Sequence, residues 1–95
     1  MQESIIQSSR NVFTDLGFDP AEAAILQLRS KLINDLRGFI NAQQLTQAQA
    51  VEQLGIAQSR VSDLMRGKHD KFSLEMLITL ETRLGREVRL ELVGV

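Results

Sequence analysis

Two short helical segments on either side of Gly55 restrict the fold of this chain more than any other feature. The first is predicted to begin after Thr46, because Thr46 and Gln49 have the spacing of a capping box, in which each side chain accepts a hydrogen bond from the backbone of the other residue. It ends at Gly55, since glycine readily takes the left-handed conformation that closes a helix. The second covers about 58–66 and stops at Gly67. The sequence therefore predicts two short helices joined by a tight turn.

Capping signals also predict a longer helix before this pair and another helix after it. Asp19 can cap the earlier helix, Pro20 suits its first position, and Glu22 lies three residues after the cap. The later helix is predicted to start at Ser73 and to end at Gly85. Apolar residues at steps of three and four mark one face of the earlier helix: Ile25, Leu28, Leu32, Leu36, Phe39 and Ile40.

The residues after Gly85 change to the two-residue period of a strand. Apolar and charged side chains alternate over 87–92, and this is the one strand that the sequence predicts. A lone strand leaves its backbone groups unpaired, so we expect it to pair antiparallel with its copy in a two-fold dimer, or else to be a frayed tail. With the axis at Leu90, Arg89 would face Glu91 of the partner subunit. The expected dimerisation residues are Val88, Arg89, Leu90, Glu91 and Leu92.

Length and composition limit the class of protein. A chain of 95 residues forms one small domain, and a domain of this size buries so little surface that a second subunit would add stability. With no cysteine and His69 as its one histidine, the sequence excludes disulfides and a structural zinc site. No apolar run approaches the roughly 20 residues of a membrane span, and the first ten residues lack the pattern of a signal peptide. We therefore expect a cytoplasmic protein.

Three acidic residues near the start of the chain, Asp15, Asp19 and Glu22, are the nearest approach to a catalytic or metal-binding cluster. Helix capping explains Asp19 and Glu22 without any chemistry. We therefore expect no enzymatic activity, no metal site and no cofactor.

The net charge of −1 does not by itself point to nucleic acid, but the distribution of charge is uneven. Phosphate binding depends on local basic groups, so a local excess is compatible with DNA, although a solvated loop explains it equally well. Within 58–71, four basic residues, Arg60, Arg66, Lys68 and Lys71, stand against two acidic ones, Asp63 and Asp70.

Two short helices joined by a glycine turn are typical of the helix-turn-helix unit, whose second helix exposes one face to base edges in the major groove. Glutamine and arginine suit two-pronged contacts to adenine and guanine. RNA binding by stacking is disfavoured, because the chain has no tryptophan or tyrosine and four phenylalanines. We therefore expect double-stranded DNA as the ligand. The outward face of the second helix carries Gln58, Ser59, Ser62, Asp63 and Arg66, with Arg60 near its edge.

The stretch 46–68, TQAQAVEQLGIAQSRVSDLMRGK, resembles the XRE, or Cro/CI-type, helix-turn-helix regulators. The resemblance covers roughly 20–85. The longer context, NVFTDLGF over 11–18 with QSRVSDLMRGKHDKFSLEML over 58–77, is similar to the subgroup that includes HigA-like antitoxins. The matching residues of the motif are Thr46, Gln47, Gly55, Gln58, Val61, Leu64, Gly67 and Lys68.

The resemblance also implies site residues. It implies that Gln47 touches phosphate, that Gln58 and Ser59 face bases, and that Arg60 contacts bases or backbone. Together with the outward face, this predicts base contacts from Gln58, Ser59, Arg60 and Asp63. Phosphate contacts are predicted from Gln47, Ser62, Arg66, Lys68 and Lys71.

The chain departs from the family pattern at two positions. Val51 stands where the family usually has alanine, so we expect a wider or tilted helix pair. Ala57 stands where a capping serine or threonine is common, so Gln58 or Ser59 is expected to share the capping.

These patterns predict a mainly α, four- to five-helix Cro/CI-like helix-turn-helix domain with one C-terminal β-strand pairing across a dimer. We expect an arm over 1–18, the DNA-binding domain over 19–85 and the dimerisation strand over 86–95. The arm either binds a partner or packs on its own domain. The expected function is a homodimeric, sequence-specific repressor of operator DNA, and the antitoxin of a toxin-antitoxin operon with a RelE/HigB-like toxin. The alternative is a phage-type or metabolic XRE regulator without a toxin partner.

Overall fold

The computed structural model describes residues 11–94, and their regular structure is helical. The prediction of a mainly α domain with four to five helices is confirmed over this range. None of these helices is long and apolar enough to cross a membrane. The helices are α1 (Val12–Asp15), α2 (Pro20–Ala42), α3 (Gln47–Leu54), α4 (Gln58–Met65) and α5 (Leu74–Arg83), and a 3₁₀ turn at His69–Lys71 precedes α5.

Local capping sets the ends of the helices, as the sequence predicted. The Asp19 carboxylate accepts hydrogen bonds from the first turn of α2. At α3 the capping box is complete: the Gln49 N–H donates to the Thr46 hydroxyl at 3.1 Å, and the Thr46 N–H donates to the Gln49 side chain at 2.8 Å. Gly55 ends α3 with a φ of 70°. The Ser73 hydroxyl caps α5.

The core lies where α2, α3, α4 and α5 meet. On α2 the buried face differs from the predicted one, because Ile33 is buried whereas Ile25 is 41% exposed. Ile33 lies three and seven residues before the buried Leu36 and Ile40, on the same helical face, and the buried core cluster begins on α2 at Ile33. The buried cluster consists of Ile33, Leu36, Ile40, Ala50, Leu54, Val61, Leu64, Phe72, Leu77 and Leu80.

Residues 11–18, the described part of the predicted arm, pack on the domain. The Asn11 side-chain amide donates to the Ala23 carbonyl at 3.0 Å and to the Gln27 side chain at 2.9 Å, so it ties the start of α1 to α2. The rings of Phe13 and Phe18 meet edge to face at 6.1 Å between centroids. The rest of the predicted arm, 1–10, lies outside the described residues.

The predicted C-terminal strand is absent from the described residues, since 86–94 has no helix or strand. A strand is defined by a neighbouring backbone to which it is hydrogen-bonded, and the described chain offers it none. Leu90 and Leu92 accordingly remain exposed, Leu92 by 88%. Pairing across a dimer therefore stays a prediction.

Candidate nucleic-acid interface

The turn between α3 and α4 is held from the side by α5. The Arg83 guanidinium donates a hydrogen bond to the Leu54 carbonyl at 2.7 Å, at the end of α3. It also lies 3.2 Å from the position that a Cβ would occupy on Gly55. Gly55 is favoured by its positive φ, and a Cβ there would also crowd the tip of this arginine, which would have to shift by a few tenths of an ångström. Sequence reasoning missed Arg83, because nothing local marks a contact that spans 29 residues.

The two departures from the family pattern have different outcomes. Val51 is half-buried and packs against the core, and the wider or tilted helix pair stays a prediction. Ala57 gives α4 no side-chain cap, and neither Gln58 nor Ser59 takes over this role in the structure. The start of α4 therefore lacks the support that the capping box gives to α3.

The exposed side chains at the start of α4 are linked to α3. The Gln58 side-chain amide donates to the Gln47 side-chain oxygen at 2.8 Å, and both residues are exposed. Ser59 is exposed beside them, whereas Ser62, one turn later, is half-buried. The structure thus brings together Gln47, predicted to touch phosphate, and Gln58, predicted to face bases.

Arg60 has a different environment from Gln58. Its guanidinium carbon lies 4.6 Å from the centroid of the Phe72 ring, and its Nη2 donates to the Lys71 carbonyl at 3.1 Å. The side chain is half-buried and turned toward the segment after α4. Sequence reasoning did not connect Arg60 with Phe72, because the two belong to different elements.

The remaining predicted cations lie at the end of α4 and in the segment after it. Arg66, Lys68 and Lys71 are all exposed. The Lys68 ammonium is 3.9 Å from the Asp63 carboxylate, which is more buried than the lysine. An ion pair of this length on the surface is weak, so it leaves Lys68 available to other anions.

The segment after α4 also contacts α1. The His69 and Phe13 rings meet edge to face, with 6.5 Å between centroids. Sequence reasoning placed Phe13 in an arm separate from the DNA-binding domain, and so missed this contact.

A family model described as a helix-turn-helix domain matches residues 12–92. The chain belongs to this helix-turn-helix family. No curated protein matches it. Membership supports an XRE-like DNA-binding regulator, as the sequence predicted. The match includes α1 and most of residues 86–94, which we call the C-terminal segment. It therefore extends past the predicted domain limits at 19 and 85.

This helix-turn-helix domain has a second charged cluster, at the base of the C-terminal segment. The Arg86 guanidinium lies 2.9 Å from the Asp35 carboxylate on α2 and 3.5 Å from the Glu81 carboxylate on α5. It also lies over the Phe39 ring at 5.1 Å. Contacts over such sequence distances have no local signal, and sequence reasoning missed this cluster.

Glu81 is the buried acid of this cluster, with 2% of its surface exposed. Burial, together with the neighbouring Asp35 carboxylate, raises the pKa of Glu81 to about 8, although Arg86 acts in the opposite direction. No group of three or more candidate metal ligands occurs within 11–94.

Proposed function

We propose that this helix-turn-helix protein is a sequence-specific transcriptional repressor that binds double-stranded operator DNA through α4. The observation that carries the proposal is the exposed start of α4, where the Gln58 amide is held by Gln47 of α3. A side chain with a fixed orientation loses less entropy when it binds a base edge. The link joins Gln47 of α3, which is proposed to contact phosphate, to Gln58 of α4, which is proposed to contact a base. The two contacts can therefore form together when α4 lies in the major groove.

The proposed roles of the exposed residues follow from their chemistry. Gln58 suits a two-pronged contact with adenine, and Ser59 can donate to or accept from any base. Asp63 can accept from cytosine, because its weak pairing with Lys68 involves one carboxylate oxygen at 3.9 Å. The proposed phosphate contacts are Gln47, Ser62, Arg66, Lys68 and Lys71.

The decisive experiment uses a DNA duplex that the protein itself selects from a random library. Replacing Gln58 with alanine should cost about 1–3 kcal/mol of binding free energy on the selected duplex and little on random duplexes. Gln53→Ala, which removes another exposed glutamine from the outside of α3, is the matched control. Equal losses on both kinds of DNA would show that Gln58 does not read sequence. Failure of the wild-type protein to retain any duplex would overturn the proposed function.

A homodimer is part of the proposal. One helix-turn-helix unit reads only a few base pairs, so specific binding usually needs two copies on a palindromic site. The C-terminal segment supplies a surface for the second copy, because Leu90 and Leu92 are exposed in the single chain and alternate with charged residues. We propose that these segments pair antiparallel as strands, with Val88, Arg89 and Glu91 in the same interface.

A role as antitoxin is favoured by an exposed apolar surface at the start of the domain. Val12, Leu16, Phe18 and Ile25 expose large apolar side chains there, Leu16 by 69%. Where such side chains form a contiguous patch, they mark a protein contact. We propose that a RelE/HigB-like toxin binds at this surface. A phage-type or metabolic regulator without a toxin partner is the alternative function.

Substitution of Leu16 tests the antitoxin role. Leu16→Asp should weaken both neutralisation of the toxin encoded beside this gene and its co-purification, while it leaves operator affinity unchanged. Ile78→Asp, which places the same charge on an exposed apolar position of α5, is the control. Unchanged neutralisation by Leu16→Asp, or the absence of a neighbouring toxin gene, would favour the regulator without a toxin.

A further inference from the structure

The segment 68–71, which we name the phosphate loop, is held by contacts from two helices. On the α4 side, the Lys68 N–H donates to the Asp63 carbonyl at 3.0 Å, and Arg60 donates to the Lys71 carbonyl at 3.1 Å. On the α1 side, Phe13 packs its ring against His69. The backbone that carries Lys68 and Lys71 therefore has a defined position.

Arg60 is the side chain that bridges the far end of this loop to α4. Its planar guanidinium lies over the buried Phe72 ring and donates to the Lys71 carbonyl at the same time. An arginine that reached for a base edge would have to give up both contacts. A lysine can place a charge here, but it cannot reproduce the stacked plane or its directed hydrogen bond.

The charge of Arg60 is not neutralised by a carboxylate among residues 11–94. Its hydrogen-bond acceptor is a backbone carbonyl, and the ion pairs of the described residues involve other cations. Arg60 therefore holds the loop in place without lowering its positive potential, which suits a surface that meets phosphates.

We propose that Arg60 is a positioning residue, which holds the phosphate loop so that Lys68 and Lys71 meet the DNA backbone, and that it does not read bases. This inference rests on the proposed function and deepens it. Arg60 then contributes equally to binding of every duplex, while discrimination between sequences comes from Gln58 and Ser59.

The test compares Arg60→Gln and Arg60→Lys with Arg66→Gln. Arg66 is exposed at the end of the same helix, so its variant removes one cation without disturbing the loop. Two measurements are made: backbone amide shifts of His69 and Lys71 in the free protein, and affinities for the selected duplex and for a random duplex of equal length. Thermal unfolding checks that each variant is folded.

Arg60→Gln should change the chemical shifts of both amides. It should also weaken binding to both duplexes by about tenfold, which is the effect of one lost hydrogen bond to a charged group, and leave the ratio of the two affinities unchanged. Arg60→Lys should not restore affinity, and Arg66→Gln should leave the two amides in place. Should Arg60→Gln unfold, Arg60→Lys gives the same comparison, because it keeps the charge and the aliphatic stem.

Three results would overturn the inference: a tenfold or larger fall in the affinity ratio, full rescue by lysine, or unmoved amides in the free protein. A fall in the affinity ratio would show that Arg60 reads bases, and rescue by lysine would show that only its charge matters. Failure of the wild-type protein to bind DNA would instead reject the proposed function, while the amide shifts would still report on the position of the loop.

Discussion

Two arginines of this domain lie over phenyl rings, and they differ in what accepts their hydrogen bonds. Arg60 lies 4.6 Å from the ring of Phe72 beside α4, and Arg86 lies 5.1 Å from the ring of Phe39 beside α2. Stacking of this kind contributes about 0.5–2 kcal/mol at either place, depending on how far the pair is removed from water. The ring contact is therefore common to both regions and does not explain their difference in function.

The groups that accept hydrogen bonds from the two arginines distinguish the two regions. Arg60 donates to a neutral carbonyl and keeps its charge, whereas Arg86 is paired with the Asp35 carboxylate at 2.9 Å and lies beside the Glu81 side chain. The first arrangement adds to a positive surface, and the second fixes the start of the C-terminal segment without adding a field. On the proposed function, the same side-chain pair supports recognition of phosphate in one region and architecture in the other.

The largest expected effect lies just beyond Arg86, in the segment that it anchors. Leu90→Pro removes a backbone donor and blocks a strand ladder, so sedimentation should show monomers and operator affinity should be lost. Leu90→Ala, which keeps the backbone donor, is the control. A stable dimer of the proline variant that binds operator would move the interface to the helices and leave Arg86 with a purely local role.

Removing Arg86 should have the next largest effect. At pH 9, where Glu81 is ionised, Arg86→Ala leaves the carboxylates of Asp35 and the buried Glu81 side by side without a cation, and should lower the free energy of unfolding by about 3 kcal/mol. Arg89→Ala breaks the exposed pair of Arg89 with Glu87 and should cost less than about 0.5 kcal/mol. Urea denaturation of both variants measures the difference. Equal small losses would mean that the Arg86 cluster is no stronger than a surface pair.

The pH dependence of stability sharpens the comparison further. The pKa of Glu81 is about 8 in the folded state against 4.5 as its ordinary value, so between these values the folded state holds more protons than the unfolded state. The free energy of unfolding should therefore fall as pH rises from about 4.5 to 8, and ionised Glu81 gives no stability above that window.

Glu81→Gln, which keeps the shape of the protonated acid, should remove this slope, so wild type should lose about 3 kcal/mol more stability than the variant between pH 6 and pH 9. Glu75→Gln changes an exposed acid on the same helix and is the matched control. Denaturation curves at pH 6 and pH 9 make the measurement. A slope that persists in Glu81→Gln would assign it to other groups.

The smallest effect is expected at single cations of the phosphate loop. Lys68→Gln or Lys71→Gln should weaken binding to all duplexes alike. Each should also reduce the slope of the logarithm of the binding constant against the logarithm of the salt concentration by about one unit. Lys31→Gln, at an exposed position of α2 outside the interface, should leave the slope unchanged. A slope that responds to Lys31 but not to Lys68 would place DNA on the other side of the domain.

The sequence predicted those parts of the fold whose causes are local. Thr46 and Gln49 are three residues apart and form the predicted capping box, and Gly55 ends α3 as expected. The partners of Arg60 and Arg86 were not predictable in this way, since Arg86 and Asp35 are 51 residues apart. A basic residue near a motif indicates charge, but its acceptor depends on tertiary packing.

The buried face of α2 shows the same limit. The periodic pattern includes Ile25, because a three- and four-residue step counts every apolar position along the helix. Which of these positions are covered depends on how the other helices pack on α2, and the packing leaves Ile33 inside and Ile25 at the surface. The strand prediction depends in the same way on a second chain.

The uncapped start of α4 has a consequence for how this domain adapts to DNA. The first N–H groups of α4 lack a side-chain partner at Ala57, whereas α3 begins with a closed capping box. Opening the first turn of α4 therefore breaks fewer hydrogen bonds, and amide hydrogens there should exchange with solvent sooner than those of α3. On the proposed function, the backbone at the start of α4 can then adjust to local variation in groove width, while the hydrogen bond from Gln47 of α3 still directs the Gln58 side chain.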